Sequence, residues 1–461
     1  MNVKSRLYPY QQKTLEFLKE HSRCICAEEC GLGKTIEALA LVEELNPRHV
    51  LIVAPKTLLF EWWSQINDWL NEPCLTPHTN GDKLDGLDLN GPRFVAVNYD
   101  LLAIPRYWSA LSEVKWDTIV FDECHRLKNY KAKRTKAAHL LVPYIPRVIM
   151  MSGTPMQNSP ADLFPLFHIL NSKLYRSYTS WVNLFCVTIL MQVGNRHFNQ
   201  VVGSKNTDEL NRLLHMHMIR HTKKEVLKDL PDKIYRTIPV ELGPERKQYT
   251  QMEKELFALL DSGELITAPA VIAQLTRLRQ IVLDPNLLSH EIPKVSTPSN
   301  KTQTVLELID DTDDKLVVYS YFAQYINILK QELDSRGIKY SVVTGQVNTQ
   351  DRGRAIYEFQ NDPSVRVFLA TITSAGEGIT LTASHTVVFC DLFWTPAVNQ
   401  QCEDRLHRIG QHNIVLVIDL FCRNTIEEHV HKVVRRKERM FDAIVSKDMT
   451  KAIVDSMRRE Q

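Results

Sequence analysis

Short runs of β-branched and other apolar residues recur along the chain, with longer amphipathic stretches between them. "HVLIVAP" (49–55), "RFVAVNY" (93–99), "WDTIVFDE" (116–123) and "RVIMMSGTP" (147–155) fall in the first half. "KLVVYSYF" (315–322), "KYSVVTG" (339–345), "VRVFLATITSAG" (365–376), "HTVVFCD" (385–391) and "IVLVIDLFC" (414–422) fall in the second. Unbroken apolar strands alternating with helical patterns predict parallel sheets covered on both faces. Two such sets predict two α/β lobes. Between them, 160–290 predicts mostly helix, because "ELNRLLHMHMIRHTKKEVL" and "RKQYTQMEKELFALL" place leucine, methionine and isoleucine at three- and four-residue steps. "DLPDK" (229–233) breaks that pattern, and "EIPKVSTPSN" (291–300) predicts a connector. Near the end, Thr425 and Glu428 predict a capping box, and Val430, Val433, Val434, Phe441 and Ile444 form one apolar stripe on a terminal helix. No fixed-period repeat is visible.

The bulk numbers change this picture little. At 461 residues there is chain for two sizeable cores. A composition of 44% hydrophobic and 24% charged residues is that of a soluble globular protein. The net charge of +2 predicts no global field for nucleic acid, so any such binding needs local basic stripes. No apolar run reaches the roughly 18–20 residues of a membrane span, and "MNVKSRLYPYQQ" lacks the apolar centre of a secretory signal. The nine cysteines show no metal-type spacing and are expected to be reduced thiols of an intracellular protein.

Candidate chemistry begins at "AEECGLGKT" (27–35), between an apolar run and the helical "IEALALVEEL". Gly31 and Gly33 let the backbone approach phosphate oxygens at a helix N-terminus. Lys34 can reach the β- and γ-phosphates, and the Thr35 hydroxyl can bind Mg²⁺. Glu28 stands where the general phosphate-loop pattern has glycine, and a glycine-rich structural turn is the competing reading. "VFDECH" ends an apolar strand, where ligand sites of parallel sheets form. Asp122 there can hold Mg²⁺ through water, and Glu123 can orient and deprotonate an attacking water. A reactive Cys124 would need a facing base, yet neighbours in extended chain point to opposite faces, so His125 is badly placed for it. Zinc would need further ligands at suitable spacing, which are missing. "MSGTPMQNSPADLF" (151–164) and "TSAGEGITL" (373–381) are weak signals alone. In "NQQCEDRLHRIGQ" (399–411), Arg405 and Arg408 share a predicted helical face with Gln401 one turn before. Guanidinium forks suit phosphate oxygens, although a solvated face pairing the arginines with Glu403 and Asp404 reads equally well.

"LYPYQ", "GLGKT", "LIVAPKTLLFEWWSQ", "NYDLL", "DECHRLKN", "SGTPMQN", "MIRHTKKEVLKDLPDK", "LTRLRQIVLDP", "TSAGEGITLTAS" and "EDRLHRIGQ" occur in that order. The series resembles the Swi/Snf family of superfamily-two DNA translocases, from residue 7 to about 445. "GSKNTDELNRLL" and "FWTPAVNQQCEDRLHRIGQ" are most similar to its annealing-helicase and fork-remodelling branch. The resemblance implies two RecA-like lobes, parallel sheets flanked by helices, with helical protrusions between them. Lobe 1 would span 1–160, protrusions and hinge 161–290, and lobe 2 with a terminal brace helix 291–461. It implies ATP with Mg²⁺ as the cofactor set. Lys34, Thr35, Asp122 and Glu123 match the phosphate, magnesium and water-activating positions, and Gln11 matches the adenine-sensing glutamine. Gly31, Gly33 and Gln401 join the nucleotide-binding set. His125 and Gln157 match coupling residues, and Arg405 and Arg408 match arginine fingers. Glu28 matches an acidic position usual in the family.

The comparison also places "APKT", "NYD" and "TSAGEG" on a DNA-tracking face, which nominates Lys56, Thr57, Asn98, Tyr99, Thr373, Ser374 and Gly376. Such contacts go mainly to phosphates and read little sequence. His221 replaces a frequent second arginine and Glu377 a common glycine. Basic clusters at Lys128–Lys136, at Arg220, Lys223 and Lys224, and at 432–439 read either as solvated helix faces or as stripes along DNA. The activity implied is a DNA-dependent ATPase that translocates on double-stranded or forked DNA. It would act as a monomer, away from membranes, in the cytoplasm of a bacterial or viral system or the nucleus of a eukaryote. A partner supplying targeting or nuclease activity is compatible with it. A strand-separating DNA or RNA helicase is the alternative, and a non-enzymatic scaffold conflicts with the intact catalytic set.

Overall fold

The computed structural model describes residues 3–76, 91–193, 196–243, 245–261, 268–288, 297–375 and 379–445. The chain divides into two compact units. One comprises Met1–Ile189, Asn199–Lys228 and Lys437–Gln461, and the other Leu190–Phe198 and Asp229–Arg436.

The first unit holds β1 (Arg23–Cys26), β2 (Val50–Ala54), β3 (Cys74–Leu75), β4 (Phe94–Asn98), β5 (Thr118–Asp122) and β6 (Arg147–Met151). A two-stranded sheet of β7 (Cys186–Val193) and β8 (Arg196–Ser204) follows, its residues Leu190–Phe198 being counted with the other unit. β9 (Met218–Ile219) then returns to the main sheet, whose order is β3-β4-β2-β5-β6-β1-β9. Every pairing in that sheet is parallel. β2, β4 and β5 are buried at all five positions, which is why they read as unbroken apolar runs. The pleat divides them between two cores: Leu51 and Val53 join one cluster, Val50, Ile52 and Ala54 the other. Parallel strands also bring their carboxyl ends to one edge, so the loops after Cys26, Ala54, Asp122 and Met151 emerge together.

The second unit holds β10 (Lys233–Val240), β11 (Leu316–Ser320), β12 (Tyr340–Val343), β13 (Val367–Thr371), β14 (Thr386–Phe389) and β15 (Val415–Cys422). They form an all-parallel sheet in the order β10-β15-β14-β11-β13-β12, again with a core on each face.

The segment 161–290 is helical in most of its elements, but not throughout. It contains the β7–β8 pair and β10, and the second unit takes in the chain from Asp229 rather than from 291. β10 escaped the apolar criterion because it is an edge strand with most side chains in water, Ile234 and Tyr235 among them. Helices Arg246–Asp261 and Ala268–Leu283 pack with its end: Tyr249, Met252, Leu278, Ile281 and Val282 share a cluster with Val240 and Cys422.

The terminal helix runs Ile426–Val445. Its cap differs from the expected box. The Glu427 backbone N–H, rather than that of Glu428, donates to the Thr425 hydroxyl (3.2 Å), and that hydroxyl donates to the Cys422 carbonyl (2.8 Å). The Glu427 carboxylate reaches back to the Cys422 N–H (2.8 Å) while binding the buried Lys301 ammonium at 2.6 and 2.7 Å. In the stripe, Val430, Val434 and Ile444 are buried, whereas Val433 is 38% exposed. Among the described residues no helix is long and apolar enough to cross a membrane.

Candidate active site

The turn between Cys26 and helix Lys34–Leu45 is shaped by two glycines in the left-handed region, Gly31 (φ 90°) and Gly33 (φ 87°). A Cβ on Gly33 would lie 2.4 Å from the Gln11 amide nitrogen, so glycine is required on both counts. Gln11 is buried and fixed at both ends. Its amide nitrogen donates to the Leu32 carbonyl (2.9 Å), and its oxygen accepts from the Tyr8 N–H (3.0 Å). The Tyr10 hydroxyl donates to the same Leu32 carbonyl at 2.8 Å. The Lys34 ammonium donates to the Glu28 carbonyl (2.8 Å) and lies 3.4 Å from that of Glu29, spanning the loop where phosphate oxygens would seat. Burial opposes its charge, yet Cys30, Glu123, Cys26 and Asp122 around it hold the ammonium above its usual range.

Glu28, expected from the sequence to be an acceptable departure, is fully buried and has a structural task. It accepts from the Thr14 hydroxyl (2.9 Å), lies 2.8 Å from His221 Nδ1 and accepts the His221 backbone N–H at 2.8 Å. Glu29 takes the Lys223 N–H at 2.8 Å and stands 3.6 Å from the Arg220 guanidinium. His221, which stands where a second arginine is frequent, is thus engaged with the phosphate loop. Arg220 and Lys223 also leave the expected basic stripe: Lys223 is buried, and Arg220 donates to the Ala27 (2.9 Å) and Gly153 (3.0 Å) carbonyls.

At the end of β5, Asp122 accepts from the Trp62 indole N–H and the Glu123 N–H, both at 2.9 Å. Its carbonyl takes the Tyr99 hydroxyl at 2.7 Å. Burial, and then the neighbouring Glu123 charge, push its carboxyl up to about 7. Glu123 sits at φ 49°, ψ 52°, a left-handed conformation that a side-chain-bearing residue adopts only where its surroundings enforce it. That kink turns the carboxylate toward His125 Nδ1 (3.2 Å) and the Ser152 hydroxyl (3.4 Å), which are themselves 3.1 Å apart. Gln157 accepts from the Lys128 ammonium, and its N–H donates to Asp162 at 3.1 Å. Cys124 is wholly buried, and burial followed by the Glu123 and Asp122 charges pushes its thiol well up, which disposes of the reactive-thiol reading. The group of potential metal ligands among the described residues, Cys26, Glu28 and Glu37, includes neither Cys124 nor His125. All nine cysteines are buried thiols.

In the second unit, helix Pro396–Glu403 carries Gln401 but stops before the arginines. Arg405 and Arg408 occupy the turns that follow, so the shared helical face is corrected to a helix end and a loop. Arg405 is buried, and Arg408 donates to the Asp404 carbonyl (2.8 Å) and to the Thr380 hydroxyl (3.2 Å). Glu403 and Asp404 are held by Lys233, at 2.9 Å each, and the Tyr235 hydroxyl donates to Glu403 at 2.9 Å. These contacts anchor both acids to β10.

Of the residues nominated for DNA, Lys56, Thr57 and Thr373 are exposed and Ser374 is half-buried, accepting from Thr371 at 2.7 Å. Asn98 and Tyr99 are not on the surface. Asn98 accepts the Asp100 and Leu101 N–H groups (3.0 and 3.2 Å), and Tyr99 is spent on Asp122. Gly376 and Glu377 lie outside the described residues. Trp62 and Ser152 are site residues that sequence reading missed, and Arg220 entered it only as part of a basic cluster. Trp62 and Ser152 lay inside quoted motifs but carried no chemistry of their own in one dimension.

A lysine-bearing phosphate loop beside an Asp-Glu strand end, in a chain with a second parallel-sheet unit, defines a helicase-like nucleoside-triphosphate hydrolase. The SNF2-related domain matches residues 10–287, more than half of the chain, and the helicase conserved C-terminal domain matches 300–410. The protein belongs to the SNF2-related family of ATP hydrolases, and its two units are the RecA-like lobes of that family. It is 28% identical over 449 residues to the mouse DNA annealing helicase and endonuclease ZRANB3, covering 94% of this chain and 40% of the relative. It is likewise 28% identical over 438 residues to the SWI/SNF-related matrix-associated actin-dependent regulator of chromatin subfamily A-like protein 1 of Xenopus tropicalis, covering 94% and 44%. The chain thus spans less than half the length of these relatives. The SWI2/SNF2 ATPase core of Sulfolobus solfataricus, solved in complex with double-stranded DNA, is 27% identical with a TM-score of 0.46, covering 99% of this chain and 97% of that one.

Proposed function

We propose that the chain is a DNA-dependent ATPase that translocates on double-stranded DNA and remodels DNA or protein–DNA structures, in the manner of fork remodelling or strand annealing. The observation that carries the hydrolytic half is the convergence of Lys34, Asp122 and Glu123, with Glu123 kinked toward His125 and Ser152. The donor set fits ATP with Mg²⁺: a loop glycine, Gly33, with no room for a Cβ, a protonated lysine, the Thr35 hydroxyl as an oxygen ligand for the metal and the Asp122 carboxylate to hold it through water. Bound magnesium would supply charge neutralisation on the phosphates. Glu123 accepts the proton of the attacking water, and His125 and Ser152 hold the carboxylate in place for it. Lys34 steadies the transferring phosphoryl group. Arg405 and Arg408 are assigned to the charge that develops on that group, a role worth roughly 10³–10⁵ in rate where it has been measured. Gln401 and Gln11 complete the nucleotide contacts, and Gln157 with His125 relays the state of the site.

The DNA half is supported by the names of the relatives, an annealing helicase and a chromatin regulator, and by exposed Lys56, Thr57 and Thr373. Partner DNA implies residence wherever that DNA is, the nucleus in a eukaryote and the cytoplasm in a bacterium or a viral infection. The test is ATP hydrolysis by the purified protein with no nucleic acid, duplex DNA, single-stranded DNA, forked DNA and RNA. Stimulation by duplex or fork is the expected result. Stimulation by single strands alone would replace translocation on duplex with strand separation.

A further inference from the structure

β9 pairs with both of its residues alongside the end of β1, Met218 opposite Ile25 and Ile219 opposite Cys26. The chain that leaves β9 is therefore delivered to the underside of the phosphate loop. Ala27 donates its N–H to the Ile219 carbonyl (2.8 Å) and Glu29 to the His221 carbonyl (3.2 Å), so the ladder continues past the strands into the loop. Between these rungs lies Arg220, whose side chain is 13% exposed. One of its terminal nitrogens donates to two carbonyls at once, Ala27 in the phosphate loop and Gly153 in the turn after β6. The other stands 3.6 Å from the Glu29 carboxylate. The same turn presses on the loop directly: a Cβ on Gly153 would lie 2.7 Å from the Cys30 sulfur and 3.2 Å from the Cys30 nitrogen. Ser152, one residue earlier, is the hydroxyl that meets Glu123 and His125. Phe441 of the terminal helix covers the guanidinium, 5.3 Å from its ring centre.

We infer that Arg220 is a positioning residue for hydrolysis, a fork that fixes the Lys34-bearing loop against the Ser152-bearing turn. The inference rests on the proposed ATPase reading of that site. Neither Lys34 nor Glu123 touches Arg220 in any bond described above; its effect passes through the backbones of Ala27 and Gly153. Two planar N–H directions on one group are needed to hold two carbonyls in register, which an ammonium reproduces only in part. A displacement of about 1 Å between these segments can cost on the order of 10²-fold in rate. Phe441 keeps water from the guanidinium and so strengthens the fork from outside the site.

The experiment compares wild-type, Arg220→Lys, Arg220→Gln and Phe441→Leu chains for kcat and KM for ATP with duplex DNA present, for fluorescent ATP-analogue binding, and for melting temperature. Expected are a kcat for Arg220→Gln lowered at least about tenfold with KM raised only a few-fold, partial recovery in Arg220→Lys, and a smaller loss of kcat in Phe441→Leu. A merely structural arginine would lower the melting temperature while leaving kcat per folded molecule unchanged, and that result overturns the inference. If Arg220→Gln fails to fold, Phe441→Leu and Arg220→Lys decide it, since wild-type kcat in both would also overturn it. Failure of the wild-type chain to bind or hydrolyse ATP would sink the ATPase reading and this inference with it. Wild-type turnover with unaltered variants removes the inference alone.

Discussion

Asp122→Asn should make the nucleotide-free protein more stable while disabling it. Asp122 is only 7% exposed, and its carboxyl is pushed from 3.8 up to about 7 by burial and then by the Glu123 charge. A shift of that size corresponds to about 4 kcal/mol of destabilisation once the group is ionised in the folded state. The sign follows from the direction of the shift. Below about pH 4 both states hold the proton and there is no penalty. Between there and pH 7 the unfolded chain gives up its proton first, so stability falls as pH rises, and above pH 7 the loss is complete. Asparagine removes the charge but offers one acceptor where Trp62 and Glu123 present two donors, an opposing cost of about 1 kcal/mol. The expected net gain is about 3 kcal/mol at pH 8 and under about 1 kcal/mol at pH 5. Urea unfolding followed by tryptophan fluorescence, in chelator and without nucleotide, reads the relevant unit, because six of the seven tryptophans (all but Trp394) lie in it. An Asp122→Asn chain no more stable than wild type at pH 8, or more stable by the same amount at both pH values, would refute the reasoning.

Three further outcomes are expected. Glu123→Gln should lower hydrolysis at least about 10²-fold while ATP-analogue binding stays within a few-fold, and retained wild-type turnover would remove Glu123 from the mechanism. Gly33→Ala forces a side chain into φ 87° and against Gln11, so ATP affinity should fall by about tenfold or more in a titration, with the fold intact by circular dichroism. Lys233→Met strands Glu403 and Asp404, whose side chains are 10% and 6% exposed, and should destabilise the second unit by about 3 kcal/mol. Hydrogen exchange along β10 and β15 would report it, and unchanged protection there would show the pairing to be dispensable.

How far such detail could be read in one dimension depended on the kind of residue. β2, β4 and β5 were legible because burial on both faces leaves no polar position in them. "KIYRTIPV" was not, since an edge strand may face water along most of its length, and β9 is too short to leave any period. Lys34 was legible because the glycine-rich loop and the helix start adjoin at 27–35, and Asp122 and Glu123 because they are neighbours at the end of an apolar strand. Arg220 was legible only as one of a basic cluster, because its partner Ala27 stands nearly two hundred positions away. Asn98 and Tyr99, nominated for DNA through the family resemblance, are buried: the first closes a turn and the second braces Asp122.

The return of the terminal helix to the first unit sets an order of events during synthesis. Ile444 belongs to the same buried cluster as Ile25, Val53 and Phe121, and Asn211 donates to its carbonyl at 2.7 Å. Residues up to Lys228 leave the ribosome before the 208 residues Asp229–Arg436 are made. At roughly 5–20 residues per second that interval lasts about 10–40 s. Throughout it the nascent first unit lacks Ile444 in its buried cluster and the ring that covers Arg220, so it waits for a segment made only after the second unit.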